Sequence, residues 1–430
     1  MENNNIATKS RSWIRVDFRK DYEWLLIVSC IPLFSTKALF NLPLFVMAVL
    51  GIRQLVAQHE IFRQNRIIRT LTVLFLCLWI PLILSLPDAV NPARSIGVVA
   101  RYLLLILAGI FIVWSCRSAY VRQRINVSVV VLVIFLCVDS LIQYFLGRNL
   151  LGNPMMGGRV TSIFYPKLHM GLLLAVLSPV VFEYTRQKFN RFKPVVILPV
   201  VLIAVILMAG NRVSWIMLLM AASLYLLYHY RYSTKQPGWR TLLSGIVLIS
   251  ITLLIVYKTP FVKERINETD GVFSTDFATI DKATAYRLSI WKVGLKVFQA
   301  NWINGIGPRG FRYVYAQYAD KGNYFLKPSL VNKGATHPHL MILEVAVETG
   351  IPGLLGYLLF FIVLCRYFLR LNRRRREFMF PWMIAILVAV FPLNAHMAWY
   401  ASYWAALSWW VLAIALGMTG GRQEESRCES

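Results

Sequence analysis

Residues 96–116 read IGVVARYLLLILAGIFIVWSC, an apolar run broken by one charge, Arg101. About 20 such residues, wound as a helix, cross a hydrocarbon core of about 30 Å. In that medium every backbone N–H and C=O must be satisfied inside the segment, which leaves the helix as the available form. Moving outward, similar runs recur from end to end. They predict twelve spans, at roughly 24–36, 38–52, 70–87, 96–116, 126–146, 168–184, 194–210, 213–230, 241–257, 351–369, 379–394 and 400–418. The first two are short and admit a single re-entrant hairpin. Composition agrees: 57% of the 430 residues are hydrophobic and 15% are charged, against about 25% charged in a soluble chain. The mean hydropathy is +0.57. The expected fold class is an all-α polytopic membrane protein.

The formal charge of +26 would suggest nucleic acid in a soluble protein. Its placement argues otherwise. Alternate connections, beginning with the N-terminal tail and ending with the C-terminal tail, hold 27 Lys and Arg, while the short connections between them hold 6. That asymmetry is the positive-inside pattern, so both termini are expected to be cytoplasmic. Most of the positive charge is then topology and attraction to anionic lipid. The run Arg373–Arg376 reads as a stop-transfer flank, and no nucleic-acid partner is expected. The N-terminal MENNNIATKSRSW has no apolar core or small-residue cleavage site and is not read as a signal peptide.

The chain divides on this reading into an N-terminal membrane domain (1–257), a long non-cytoplasmic loop (258–350), C-terminal membrane helices (351–418) and a tail (419–430). A loop of that length is usually functional. It holds twelve Lys/Arg and eight Asp/Glu. None of the six cysteines lies in it, and no CxxC or zinc spacing occurs. GxxxxGK[ST] and GxSxG are absent, as is any Asp-x-Asp in the loop. The chemistry expected is therefore without nucleotide, metal or other cofactor. Asp139 and Arg101, charges inside spans, keep a transport function in view.

Three stretches on the non-cytoplasmic side carry candidate chemistry. In MAGNRVSW (208–215) one span ends and the next begins at once, fixing Arg212 in a tight turn at the membrane surface; the bland reading is a snorkelling arginine. In ATAYRLSIWKVGLKVFQANWINGIGPRGF (283–311), Leu288, Trp291, Leu295 and Phe298 repeat at helical spacing. They predict an amphipathic helix in the interface, holding Arg287 level with lipid phosphates. In THPHLMILEVAVETGIPGLLG (336–356), His337 and His339 flank Pro338 at the mouth of an apolar helix, with Glu344, Glu348, Gly350 and Gly353 following. Guanidinium groups bind phosphate oxygens bidentately and stay charged. A histidine accepts a proton near neutral pH. Together they fit transfer from a lipid diphosphate to a sugar hydroxyl.

These stretches resemble the bacterial O-antigen ligases and the related Wzy-type polymerases. The most specific element is a histidine, one polar residue, nine residues, Gly, two residues, and Gly, Thr or Tyr. His339, Gly350 and Gly353 fit that spacing, with Leu340 departing at the polar position. His337 does not fit, because Glu348 stands where glycine is expected; it remains the fallback. GNRVSW resembles the family segment that carries the first arginine, here Arg212, and YRLSIWKVGLKVF the one that carries the second, Arg287. The resemblance implies a GT-C-type glycosyltransferase architecture. It also implies transfer of O-antigen polysaccharide from undecaprenyl diphosphate to a terminal sugar of lipid A–core, at the periplasmic face of the bacterial inner membrane. His339 would be the general base, Arg212 and Arg287 would hold the diphosphate, and the configuration at the anomeric carbon would invert. Arg159, Lys167 and Arg309 are second-tier candidates for donor or acceptor contacts. The alternatives are a polymerase of the same superfamily, which uses a lipid-linked acceptor, and a non-enzymatic transporter of lipid-linked oligosaccharide.

Overall fold

The computed structural model describes residues 18–189, 191–232, 257–258, 260–327, 334–395 and 397–420. Residues 241–256 of the expected ninth span and most of both tails lie outside the described residues. The described chain is helical, with two isolated antiparallel bridges at 148–159 in place of any strand. The main helices are α1 (Phe18–Val28), α2 (Asn41–Ala57), α3 (Arg66–Leu84), α4 (Pro92–Ser115), α5 (Ala119–Leu146), α6 (Met170–Phe189), α7 (Ile197–Met208) and α8 (Arg212–Tyr232). The long connection supplies α9 (Pro260–Asp270), α10 (Phe277–Ala283), α11 (Arg287–Ala300) and α12 (Phe311–Tyr318), and α13 (Met341–Leu369), α14 (Arg373–Ala389) and α15 (Ser402–Gly417) follow.

Five of these, α3, α4, α5, α8 and α13, are long and apolar enough to cross a membrane, and α2, α7 with its preceding turn, and α15 are shorter apolar helices. The expected first span is interrupted: α1 stops at Val28 and a separate turn, Cys30–Leu33, follows. The helix carrying the expected tenth span starts at Met341, well before residue 351.

The α15 helix sits at the centre. Every residue from Tyr403 to Gly417 is buried, as suits a helix apolar all round. Two of its three tryptophans bury their rings and still satisfy their N–H groups: Trp404 donates to Ala389 O at 3.0 Å and Trp410 to Ile27 O at 2.8 Å. Around it, α2 packs on α4 and α3 on α13. The latter approach needs Gly356, where a Cβ would lie 2.0 Å from the Cys77 carbonyl. On α2 the exposed positions are mostly apolar (Leu42, Phe45, Val49, Ile52, Val56), with Arg53 in the last turns, while Leu44, Met47 and Ala48 face inward. A helix apolar on its outer face is solvated by lipid, not water. These features are those of a polytopic helical membrane protein.

The connections sort to two ends. At one, Lys167 Nζ donates to Thr36 O, Asn304 Nδ2 to Asp88 Oδ2, Arg212 Nη1 to Ala283 O, and Met341 N to Asn394 O. The 87–95, 211–212 and 395–399 connections, expected on the non-cytoplasmic side, therefore meet the long loop there, and the 37 and 147–167 connections meet each other. At the other end, Arg122 closes the α4–α5 turn on the Cys116 carbonyl, Tyr367 bonds Thr419, and Arg376 lies over Tyr232.

Asp139, buried in α5, accepts from Ser162 Oγ at 2.5 Å and Leu150 N at 2.8 Å. One turn on, Gln143 Oε1 accepts from Thr161 N and Ser162 N. Both side chains pin the 147–165 connection onto the helix, so this intramembrane charge has a structural engagement.

Candidate active site

The second arginine is placed by a strained turn. The short helix α10 is capped by Asp276, which accepts from Thr279 N at 2.9 Å. It ends in two successive left-handed residues that are not glycine, Ala285 (φ 58°) and Tyr286 (φ 59°). Such backbone is uncommon and needs support from its surroundings. Tyr286 N donates to Asp281 O at 2.6 Å. The Tyr286 ring stacks on Tyr324 at 3.7 Å. Asp281, buried, accepts from Ser289 Oγ at 2.5 Å and Ser289 N at 3.1 Å, fixing the first turn of α11. Arg287 is thus the first residue of a rigidly started helix.

The first arginine reaches it from the membrane helices. Arg212 opens α8 immediately after the Gly210–Asn211 turn, and Asn211 Oδ1 caps Val213 N at 3.1 Å. Its Nη1 donates to the Ala283 carbonyl at 2.5 Å, at the end of α10 where the helix dipole is negative. Burial lowers the Arg287 pKa, and the nearby Arg212 charge lowers it further. The two guanidinium groups are within Coulombic reach of each other. Like charges held this close favour a shared anion.

The histidines lie beside the same helix. The rings of His337 and His339 are 3.8 Å apart at 37°. Thr336 Oγ1 lies 3.0 Å from His337 Nδ1. His339 is left-handed (φ 51°), and α13 begins only at Met341, so His339 precedes the helix on which the sequence placed it. Its carbonyl accepts from Trp291 Nε1 at 3.4 Å. Residues at i and i+4 share a helix face; Trp291 stands four beyond Arg287, so α11 ties the arginine and the histidine together. The α11 face that packs inward is Ile290, Val293, Gly294 and Val297. The expected stripe is displaced from it, and Leu295 is exposed. Leu343 of α13 packs against Gly294 on that inward face.

The motif glycines are structural. Gly350 breaks α13 with φ 62° and ψ −156°. The kink frees Ile351 N to donate to Trp302 O at 2.9 Å, and a Cβ there would lie 2.3 Å from the Ile303 carbonyl. A Cβ at Gly353 would meet Thr349 Oγ1 at 1.9 Å. The strip 302–311 is thereby laid along α13, where Ile306 N bonds Val347 O at 3.1 Å. Glu348 does not serve the histidines; its carboxylate accepts from Arg309 N at 2.5 Å. Glu344, also buried, accepts from Trp399 N and Tyr400 N.

The second-tier residues divide. Lys167 is engaged by the Ser35 and Thr36 carbonyls. Arg159 stands at the base of a two-residue hairpin turned by Gly157 and Gly158. Arg309 belongs with Glu344 and Glu348, its Nη1 3.9 Å from Glu344 Oε1. The Trp291 tie, the Tyr286–Tyr324 stack and the anchoring by Glu344 were missed in the sequence. Only Glu344 left a signal there, as an acid in an apolar run four residues before another.

An all-helical membrane bundle that gathers paired arginines and paired histidines at one end defines the class. Residues 197–358, less than half of the chain, match the family model described as O-Antigen ligase. The matched segment contains Arg212, Arg287, His337 and His339. No curated protein matches the chain significantly.

Proposed function

We propose that this protein is an O-antigen ligase of the inner membrane, with both termini cytoplasmic and its site periplasmic. The reading includes the expected twelve spans, the GT-C-type architecture and the division at 257, 350 and 418. The observation that carries it is the Arg212–Arg287 pair, joined to His339 through Trp291 on one helix. Arg212 and Arg287 hold the diphosphate of undecaprenyl-diphosphate-linked O-antigen. A ring nitrogen of His339 takes the proton from a sugar hydroxyl of lipid A–core. The hydroxyl oxygen bonds to the anomeric carbon as the bond to diphosphate breaks, with inversion. The electron pair leaves on undecaprenyl diphosphate, whose developing charge the two guanidinium groups stabilise. Diphosphate is a good leaving group, so no separate general acid is assigned.

The lipopolysaccharide ladder of a strain lacking the protein tests this. Bare lipid A–core, with long polymer retained on undecaprenyl diphosphate, is the expected result. Core capped by single repeat units would instead make the protein a polymerase. Lipid-linked units trapped on the cytoplasmic side would make it a transporter.

A further inference from the structure

A second basic cluster lies apart from the diphosphate pair. Arg94 and Arg101 are seven residues apart on α4 and so share a face. Arg101 is within Coulombic reach of Arg94 and Arg309, and Arg312 of the same two. Ser95 Oγ donates to the Pro308 carbonyl at 3.2 Å and Val90 N to Ile306 O at 3.0 Å, so the start of α4 is locked against the loop that carries Arg309. Arg309 is left-handed (φ 67°) and held so by the Glu348 carboxylate on its N–H. Strained backbone at a non-glycine residue is concentrated at functional sites. Its side chain is 11% exposed and forms the floor; Arg101 and Arg312 are half-buried and Arg94 is open to the surface.

The charges within the cluster do not balance. Four guanidinium groups face two carboxylates, Glu344 and Glu348, both buried and already accepting backbone N–H groups. Asp88, on the adjoining turn, is engaged by Asn304 at 2.7 Å. Arg309 Nη1 is too far from Glu344 for a hydrogen bond, and Arg312 Nε has no hydrogen-bond partner among the described residues. Arg94 stands in the first turn of a candidate span and Arg101 two turns deeper, the depth range of lipid headgroups.

We propose that Arg94, Arg101, Arg309 and Arg312 form a second phosphate site, which takes the phosphate of a lipid headgroup at the membrane surface. Guanidinium forks suit phosphate oxygens. The lipid is either a phosphorylated glycolipid or bulk phospholipid. Identifying it with the acceptor, lipid A–core, rests on the ligase reading. The protein would then hold its two lipid substrates by separate arginine groups, one on the donor's diphosphate and one on the acceptor's phosphate.

The test is lipid binding by the purified full-length protein in uncharged detergent. The probes are lipid A–core, its dephosphorylated form, phosphatidylglycerol and undecaprenyl diphosphate. The double variant Arg94→Gln/Arg312→Gln should bind phosphorylated lipid about tenfold or more weakly and undecaprenyl diphosphate unchanged. Arg212→Gln should do the reverse. Displacement of lipid A–core by equimolar phosphatidylglycerol identifies bulk phospholipid as the occupant; resistance to displacement identifies the glycolipid. Wild-type binding by the double variant, or equally tight binding of the dephosphorylated glycolipid, overturns the site. The readout is binding alone, so absence of glycosyl transfer by the wild type would remove the ligase reading and leave this test standing.

Discussion

The indole N–H of Trp291 donates to the backbone carbonyl of His339 at 3.4 Å, one helical turn from Arg287. On the proposed reading, the bond joins the element that would hold the leaving group to the element that would remove the proton. Trp291→Phe keeps the ring and loses the donor. It should lower kcat about tenfold, the scale set by one lost hydrogen bond plus a misplaced base. Donor affinity should stay within twofold. A fall in donor affinity equal to that in kcat would show that Trp291 supports Arg287 alone.

On the proposed reading, the two tilted histidines have separate roles. His339→Ala should abolish transfer in a purified system, losing at least the 100-fold typical of a general base. His337→Ala should lower turnover by less than tenfold, because that ring packs against His339 at 3.8 Å and is positioned by Thr336. Normal turnover by His339→Ala would pass the role of base to His337.

The arginine pair should not tolerate lysine. Lysine keeps the charge and loses the bidentate fork. Arg212 also donates from Nη1 to the Ala283 carbonyl; an ammonium on a shorter stem cannot make that bond and grip a phosphate as well. Arg212→Lys and Arg287→Lys should each cost about 2 kcal/mol in kcat/KM. Wild-type kinetics from either variant would place the diphosphate elsewhere.

Much of this was legible from hydropathy because the bilayer makes the signal one-dimensional. A run such as 96–116 is a helix whatever packs on it. Arg212 was legible for the same reason: two apolar runs separated by Gly210 and Asn211 leave it nowhere but the surface. Contacts between distant segments leave no such trace. Nothing in the spacing shows that Trp291 reaches His339, or that Glu348 turns to the Arg309 amide. The face of α11 was misjudged because its periodic apolar residues serve two partners. Ile290, Val293 and Val297 meet protein, and the neighbouring stripe is only partly covered. Asp139 read as a possible transport residue because a sequence cannot show that Ser162 and Leu150 N fold back onto it.

Gly350→Ala should be among the most destabilising single changes in the site. The position has φ 62° and ψ −156°, a region essentially confined to glycine that costs an L-residue about 1–3 kcal/mol. The added Cβ also falls 2.3 Å from the Ile303 carbonyl, which must move. That carbonyl lies in the strip that carries Gly305 and, further on, Arg309. A total loss of about 3 kcal/mol is expected, read as a lower unfolding midpoint in detergent. Gly353→Ala carries no φ penalty, but its Cβ would lie 1.9 Å from Thr349 Oγ1 and 2.7 Å from Thr349 Cβ, so Thr349 must shift. An unchanged midpoint for Gly350→Ala would mean that the kink is dispensable.

Transfer should survive chelation. In many sugar transferases a divalent ion neutralises the leaving diphosphate. Here Arg212 and Arg287 supply two fixed positive charges at one locus, the charge of such an ion. Burial and the neighbouring Arg212 charge lower the Arg287 pKa, but an arginine keeps its proton at physiological pH. Purified protein with undecaprenyl-diphosphate-linked donor and lipid A–core should turn over at the same rate with and without EDTA. Loss of turnover in EDTA, restored by adding back Mg²⁺ or Mn²⁺, would mean that the arginines assist a metal and do not replace it. Under that outcome Arg212→Lys should become tolerable, so the two measurements check each other.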